Sequence, residues 1–301
     1  MSQVKYKKTS IIRRLVADML DFFLAMILFF AIYAFAIQPI FYNRTNYKEL
    51  AISYYQRLED TGLYTFDEKT MYCNIVTFEV DEDTELTAEK YYSFYDYKLV
   101  DYYTDGGKIE VFNDLKTQSN LFEEVDGNFN LKSDASVNAV RDFYVQSISK
   151  AIDEIFLSEE NNLKDLNELN KYTILMSLSS AGISFIIIYF AFPLLFDKGQ
   201  TIGKKAMNLR VASLNKGVGI NYLAFIFRQL LIVVVGILGA LFTAGLTALA
   251  FAFSPLFNKD GRSLADLASN TIVYQNVIVD ENEEFVVLKQ ESKEKDSEEN
   301  K

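Results

Sequence analysis

The residues best placed to do chemistry are charges that stand inside or beside long apolar stretches. Arg14, Asp18 and Asp21 occur in Arg-Leu-Val-Ala-Asp-Met-Leu-Asp, directly ahead of an uncharged run. At 100° per residue, positions 14, 18 and 21 share one helix face, and Asp21 lies roughly 10 Å beyond Arg14 along the axis. A second group, Gly199, Thr201, Gly203 and Lys204, stands in Gly-Gln-Thr-Ile-Gly-Lys-Lys. Arg228 is the lone charge in the apolar block from Tyr222 to Phe257, and Arg262 and Asp266 follow in Arg-Ser-Leu-Ala-Asp-Leu-Ala. Arg14 can reach back to water along its stem, but a short Asp cannot, so Asp21 needs a cation or a water-filled recess beside it. Arg14, Arg228 and Arg262 are its candidate partners, with Asp266 competing for the same cations. The chemistry on offer is charge pairing, or the passage of an ion or proton.

Composition closes most other routes. The chain has no His, which removes imidazole metal sites and His-based triads, and a single Cys, which excludes an intrachain disulfide. A net charge of −11 argues against a nucleic-acid partner. The Gly-Lys pair at 203–204 invites a phosphate loop. That loop needs Gly-x4-Gly-Lys-Ser/Thr after a strand, whereas here the glycines are four apart and Lys205 takes the hydroxyl position. No cofactor, metal or enzymatic activity is expected.

The elements that hold these charges are membrane helices. A bilayer core needs roughly 20 apolar residues as a helix. Phe22 to Phe41 and Tyr172 to Phe196 are uncharged and meet that length. Tyr222 to Phe257, at 36 residues, is nearly twice one span, with soft points at Gly236, Gly239 and Gly245. It reads as two short spans or a re-entrant hairpin, the competing reading being one long tilted helix. The expected fold class is therefore membrane α-helical with three to four transmembrane segments and an inserted α+β extracellular domain. The divisions are 1–41, a cytoplasmic N-terminus and first helix; 42–171, the outer domain; 172–274, the second membrane region with hairpin 222–257; and 275–301, a charged, disordered tail.

Basic residues set the orientation. Lys5, Lys7, Lys8, Arg13 and Arg14 precede the first span, and Lys198, Lys204, Lys205, Arg210 and Lys216 follow the second. Both segments are thus cytoplasmic, in the cell membrane of a multi-pass protein. Residues 42–171, with 27 acids against 13 bases, lie outside. The C-terminus follows on the inner side if 222–257 returns. An alternative is a cleaved signal peptide ending at the small-x-small run Ala34-Phe35-Ala36.

About 130 residues between the first two spans match one domain in size. Tyr72–Val80, Tyr95–Tyr103 and Lys108–Phe112 read as strands, the last two joined at the Asp105-Gly106-Gly107 turn. Helical spacing covers Asn46–Leu58 and the stretch after Ser133, with Ser133 or Asp134 as N-cap. Tyr91, Tyr92, Tyr95, Tyr97, Tyr102 and Tyr103 crowd one run. They suit sugar or peptide recognition, or strand packing with hydroxyls at the rim. Cys73 is expected as a buried small hydrophobe. Leu209–Ala212 and Thr271–Tyr274 look like short strands that pair.

Taken together, these pieces resemble the RDD family of membrane proteins, named for an Arg and two Asp. Arg14, Ala17 and Asp21 match its Arg-x-x-Ala-x-x-x-Asp pattern. Gly199, Thr201, Gly203 and Lys204 match its Gly-x-Thr-x-Gly-Lys segment, and a Leu-Arg-Val strand follows. Arg228 falls where an Arg often enters the next apolar segment, and Asp266 is similar to the second Asp. The resemblance covers about 11–41 and 172–274 and leaves the outer domain as an insertion. It implies an integral membrane protein of poorly defined role; ion transport, including cation/proton exchange, has been proposed for some members. Three functions remain open: ion pairs that lock helix ends, an ion or proton pathway that would need a homo-oligomer, and a sensor or accessory protein whose outer domain meets a ligand or protein.

Overall fold

The computed structural model describes residues 4–77, 86–196, 199–214, 220–239, 243, 246–275 and 285–288. The chain divides into two compact units, Met1–Gln38 with Met176–Lys301, and Pro39–Leu175.

The first unit opens with strand β1 (Val4–Lys8), followed by helix α1 (Ile11–Arg44), which includes a π-helical turn at Tyr33–Ile37 and continues into the second unit. Its other long helix, α6 (Glu160–Leu195), has a π turn at Ile187–Ala191. Both helices are long and apolar enough to cross a membrane. They meet at small residues: Ala25 is buried among Ile188 and Tyr189, and the Ser184 hydroxyl donates to the Ala25 carbonyl. Small side chains and an interhelical hydrogen bond are how helices associate where the solvent is as apolar as they are.

Beyond α6, helix α7 (Ile202–Ala206) leads into strand β6 (Leu209–Ser213). Helix α8 (Tyr222–Leu230) winds on as a π helix over Leu231–Leu238, and α9 (Leu246–Phe253) ends in a 3-10 turn at Ser254–Phe257. The expected break in the apolar block falls on residues 240–242, 244 and 245, which lie outside the described residues. Beside them, the Thr243 hydroxyl donates to the Gly239 carbonyl and accepts from the Thr247 amide.

Helix α10 (Leu264–Ala268) and strand β7 (Thr271–Gln275) follow, then β8 (Phe285–Leu288). The strands form one antiparallel sheet in the order β6-β7-β1-β8. The expected pairing of 209–212 with 271–274 is present, with Val211 opposite Val273. The apolar patch 285–288 is a strand and not part of a disordered tail, because its backbone finds partners along β1. Residues 289–301 lie outside the described residues.

The second unit is mostly helical. After α2 (Tyr47–Asp60) comes a hairpin of β2 (Tyr64–Asp67) and β3 (Tyr72–Ile75). Helices α3 (Ala88–Asp105) and α4 (Ile109–Ser119) follow, then a second hairpin, β4 (Phe122–Val125) with β5 (Asn128–Leu131), and helix α5 (Val137–Glu154). Two expected strands are therefore helices. Tyr95, Leu99 and Tyr103 recur every four residues and form the buried stripe of α3, while the Thr87 hydroxyl caps its first turn. Lys108–Phe112 opens α4 and the glycine turn joins two helices, with Gly107 at φ +65°. The expected strand 72–80 ends at Ile75, and its residues 78–80 are outside the described ones. The cap of α5 is Ser136, not Ser133 or Asp134. Cys73 is half-buried in β3, and burial pushes its thiol pKa up.

Candidate functional site

The deepest charge of α1 is clasped by the segment that follows α6. Thr201 caps α7, accepting from the Lys204 amide at 3.4 Å, and this turns the N-terminal groups of α7 toward Asp21. The Asp21 side chain, fully buried, accepts from the Thr201 hydroxyl and, at 2.7 Å, from the Gly203 amide. The Lys204 ammonium lies 3.8 Å from Asp21 and 2.8 Å from Asp18, one turn nearer water. Its cation is therefore Lys204, whereas Arg14, Arg228 and Arg262 serve elsewhere. Gly203 makes this approach possible. A Cβ there would sit 2.0 Å from the Ala17 carbonyl oxygen and 3.0 Å from the Asp21 carboxyl carbon. Glycine at 203 is thus a steric requirement of helix contact, not a sign of a phosphate loop.

Asp266 organises the second cluster. Ser263 and Asp266 form a reciprocal capping box at the start of α10, and the Asp266 carboxylate also accepts from the Thr271 hydroxyl at 3.2 Å. Arg228 Nε donates to it at 2.9 Å, and Arg14 Nη1 stands 3.5 Å away. Arg14 further donates to the carbonyls of Gly261 and Val273, so α1 is tied to the turn before α10 and to β7. Arg262 bonds the Thr271 and Asp266 carbonyls, which locks the corner between α10 and β7. Asn270 closes that corner at φ +52°. Burial pushes the Asp266 pKa up, but Arg228, Arg14 and the hydrogen bonds prevail and lower it to about 2. Beside this node, the Arg228 Nη1 and both polar atoms of the Gln229 amide are buried without a hydrogen-bond partner among the described residues.

The predicted charges therefore gather in two sets along one helix. Asp21 joins Thr201, Gly203 and Lys204; Arg14 joins Arg228, Arg262 and Asp266. Gly199 stands apart from the clasp, at φ +97° with its α-carbon against Val211. Asp18, expected on the same helix face as Arg14 and Asp21, joins the first set through Lys204.

In the second unit the tyrosine run packs instead of forming an open platform. Tyr95 and Tyr103 are buried and donate to the Val76 and Ser147 carbonyls, and Tyr92 donates to the Phe129 carbonyl. Tyr97 remains exposed. Lys116, buried on α4, pairs with Asp96 at 2.8 Å and lies 4.5 Å from the Phe112 ring centre, while the Tyr144 hydroxyl donates to the same carboxylate. Burial, with the nearby Asp96 charge, pushes the Tyr144 pKa far up. Among the described residues, no group of three or more Cys, Asp or Glu is placed to hold a metal ion.

Compared with known protein families, the chain matches the RDD family over residues 144–270. No curated protein and no solved structure matches it. Residues 144–270 are thus similar to an RDD domain, and the match contains Gly199 to Lys204, Arg228, Arg262 and Asp266. Arg14 and Asp21 lie outside the matched stretch and reach it through space.

Proposed function

We propose that this protein is a multi-pass membrane anchor whose RDD-type charges lock the inner ends of its helices, so that the segment 42–171 is displayed outside as an interaction domain. One observation carries the reading: each carboxylate of the set is already satisfied inside the protein, Asp21 by Thr201, Gly203 and Lys204, and Asp266 by Arg14, Arg228 and Thr271. A buried charge with its partners in place is a fastening; removing one partner is costly even where the pair adds little net stability.

The sheet supports the orientation. Its strands come from ahead of α1, from between α6 and α8, and from beyond α9. Segments paired in one sheet share one side of a membrane, so α1 and α6 cross once each and the block from α8 to α9 returns to the side it left. The basic residues assign that side to the cytoplasm. Protease added to intact cells should cut within 45–168 and leave Lys204–Lys216 whole. Cleavage at Lys204 from outside refutes the orientation.

A second reading, an ion or proton pathway, is favoured by one feature: Lys204 links a fully buried carboxylate, Asp21, to a half-exposed one, Asp18. The separating experiment is a double-mutant cycle of Asp21→Asn and Lys204→Met, read by thermal stability in detergent and by cation and proton flux in vesicles. Locking expects a destabilised Asp21→Asn that Lys204→Met partly restores. Unchanged stability with abolished flux establishes the pathway instead.

A further inference from the structure

One ammonium of the second unit stands in an apolar core against a carboxylate. Lys116 on α4 and Asp96 on α3 have side chains 4% and 15% exposed. The Lys116 Nζ lies 2.8 Å from Asp96 Oδ1 and 3.0 Å from Oδ2. A carboxylate's two oxygens flank its carbon, so a nitrogen this close to both stands about 3 Å from Cγ, the separation of a near-attack pair. Tyr144 on α5 donates its hydroxyl to Oδ1 at 3.0 Å. The ring centres of Phe112, Phe122 and Phe129 lie 4.5, 5.7 and 5.7 Å from Nζ, so apolar surface stands where water would otherwise solvate the charge. An ion pair so placed adds little net stability, because desolvation offsets the attraction. The same geometry is that of an amine poised on an acyl carbon.

We propose that Lys116 and Asp96 condense to an isopeptide bond, an amide that ties α3 to α4 within the folded unit. One proton passes from the ammonium to Oδ2, which leaves a neutral amine beside a neutral acid. The Nζ lone pair then adds to Cγ, while the Tyr144 hydroxyl donates to Oδ1 as negative charge develops there. Burial keeps that phenol protonated, its pKa pushed far up, so it stays a donor throughout. The Cγ–Oδ2 bond breaks, and Oδ2 leaves as water with the acid's proton and a second proton from Nζ. An ammonium and a carboxylate thus become one amide and one water; nothing is oxidised or reduced, and no co-reactant is needed. Holding the two groups together replaces the high concentration that amide formation otherwise requires, and excluding water disfavours the reverse hydrolysis. With one Cys the chain has no intrachain disulfide, and this link does the same work by constraining the unfolded chain between positions 96 and 116. The inference rests on the second unit alone and holds on either side of a membrane.

The test is the intact mass of the full chain, purified in detergent and measured after denaturation. The native chain should be lighter by one water than its sequence requires, and proteolysis should yield a branched peptide joining the segments that hold positions 96 and 116. Lys116→Arg keeps a cation beside Asp96 and should show the full sequence mass, as should Asp96→Ala. Tyr144→Phe should be purified largely unlinked, since losing one such donor slows a reaction about 100-fold, and should link on prolonged incubation. The native chain decides by itself, so a variant that fails to fold does not blunt the test. A native chain at its full sequence mass overturns the proposal, as does a water loss that persists in Lys116→Arg or maps to other residues. Linkage of Tyr144→Phe at the native rate overturns the part assigned to that hydroxyl.

Discussion

The two units close their interiors by opposite means. In the second unit aromatic rings face inward: Tyr103 stacks on Phe112 at 5.0 Å, and Phe143 and Tyr144 complete the same core with Leu99 and Ile148. In the first unit large apolar side chains face outward, with Phe35 85% and Phe257 89% exposed, while Asp21 and Asp266 are buried. One interior is built by expelling apolar surface from water. The other, in the membrane setting proposed above, has no such force between its helices, since lipid is as apolar as Leu, and is held by close backbone approach and polar partners. Charge is therefore a minor device in one unit, at Lys116 and Asp96, and the principal fastening in the other.

Removing a fastening should damage the first unit alone. Asp266→Ala leaves Arg14 and Arg228 buried without their carboxylate and should cost about 3–5 kcal/mol, read by thermal unfolding in detergent. Hydrogen exchange of the α3 segment around Leu99 should be unchanged. Faster exchange there would break the comparison, because it would mean that the core of the second unit leans on the buried charges of the first.

Gly203→Ala should come next, at about 1–3 kcal/mol, because the added methyl meets a backbone oxygen that cannot rotate away. Gly62→Ala is its control in the second unit: open space surrounds that position, and only its φ of +71° opposes the change. A first unit that tolerates Gly203→Ala as well as the second tolerates Gly62→Ala would show that close approach is not what holds α1 to α7.

Acid should weaken the same node. The Asp266 pKa falls from 3.8 to about 2 on folding, so its contribution is complete above about pH 4 and is lost as pH drops through 2. That is worth about 2 kcal/mol. The stability gap between the native chain and Asp266→Asn should narrow over that window and stay flat above pH 5. A constant gap would mean that the carboxylate's charge does not matter. The smallest effect is expected at Gln229, whose buried side-chain amide has no hydrogen-bond partner among the described residues. Gln229→Leu should be neutral or stabilising by up to about 1 kcal/mol, and a loss larger than that would reveal a role for the amide.

The comparison also explains what the sequence made legible. Charges inside apolar runs are conspicuous because they are rare there, so Arg14, Asp21, Arg228 and Asp266 stood out, and the pairing of β6 with β7 followed from their strand-like composition. Which charge meets which was hidden, since Asp21 and Thr201 are 180 positions apart. In the outer unit aromatic richness suggested strands, while the spacing of Tyr95, Leu99 and Tyr103 spelled a helix. β-propensity largely reports fit to a half-buried surface, and here a helix offered that surface. The β1 and β8 pairing was hidden because, although Val4-Lys5-Tyr6-Lys7 alternates as a strand does, nothing local marks Phe285–Leu288 as its partner.

The clasp on Asp21 has a consequence in time. The groups that neutralise it are synthesised 180 residues after it, which at ribosomal speed is a delay of roughly 10–40 s. Throughout that interval the first helix exists with its acid unanswered, so in the membrane anchor proposed above its seat in the bilayer is provisional. On that reading the helix reaches its final depth only when Gly203 and Lys204 emerge and close on it. A ribosome stalled between the two segments should therefore leave Asp21 reactive to a water-borne carbodiimide, and one that has passed Lys204 should not.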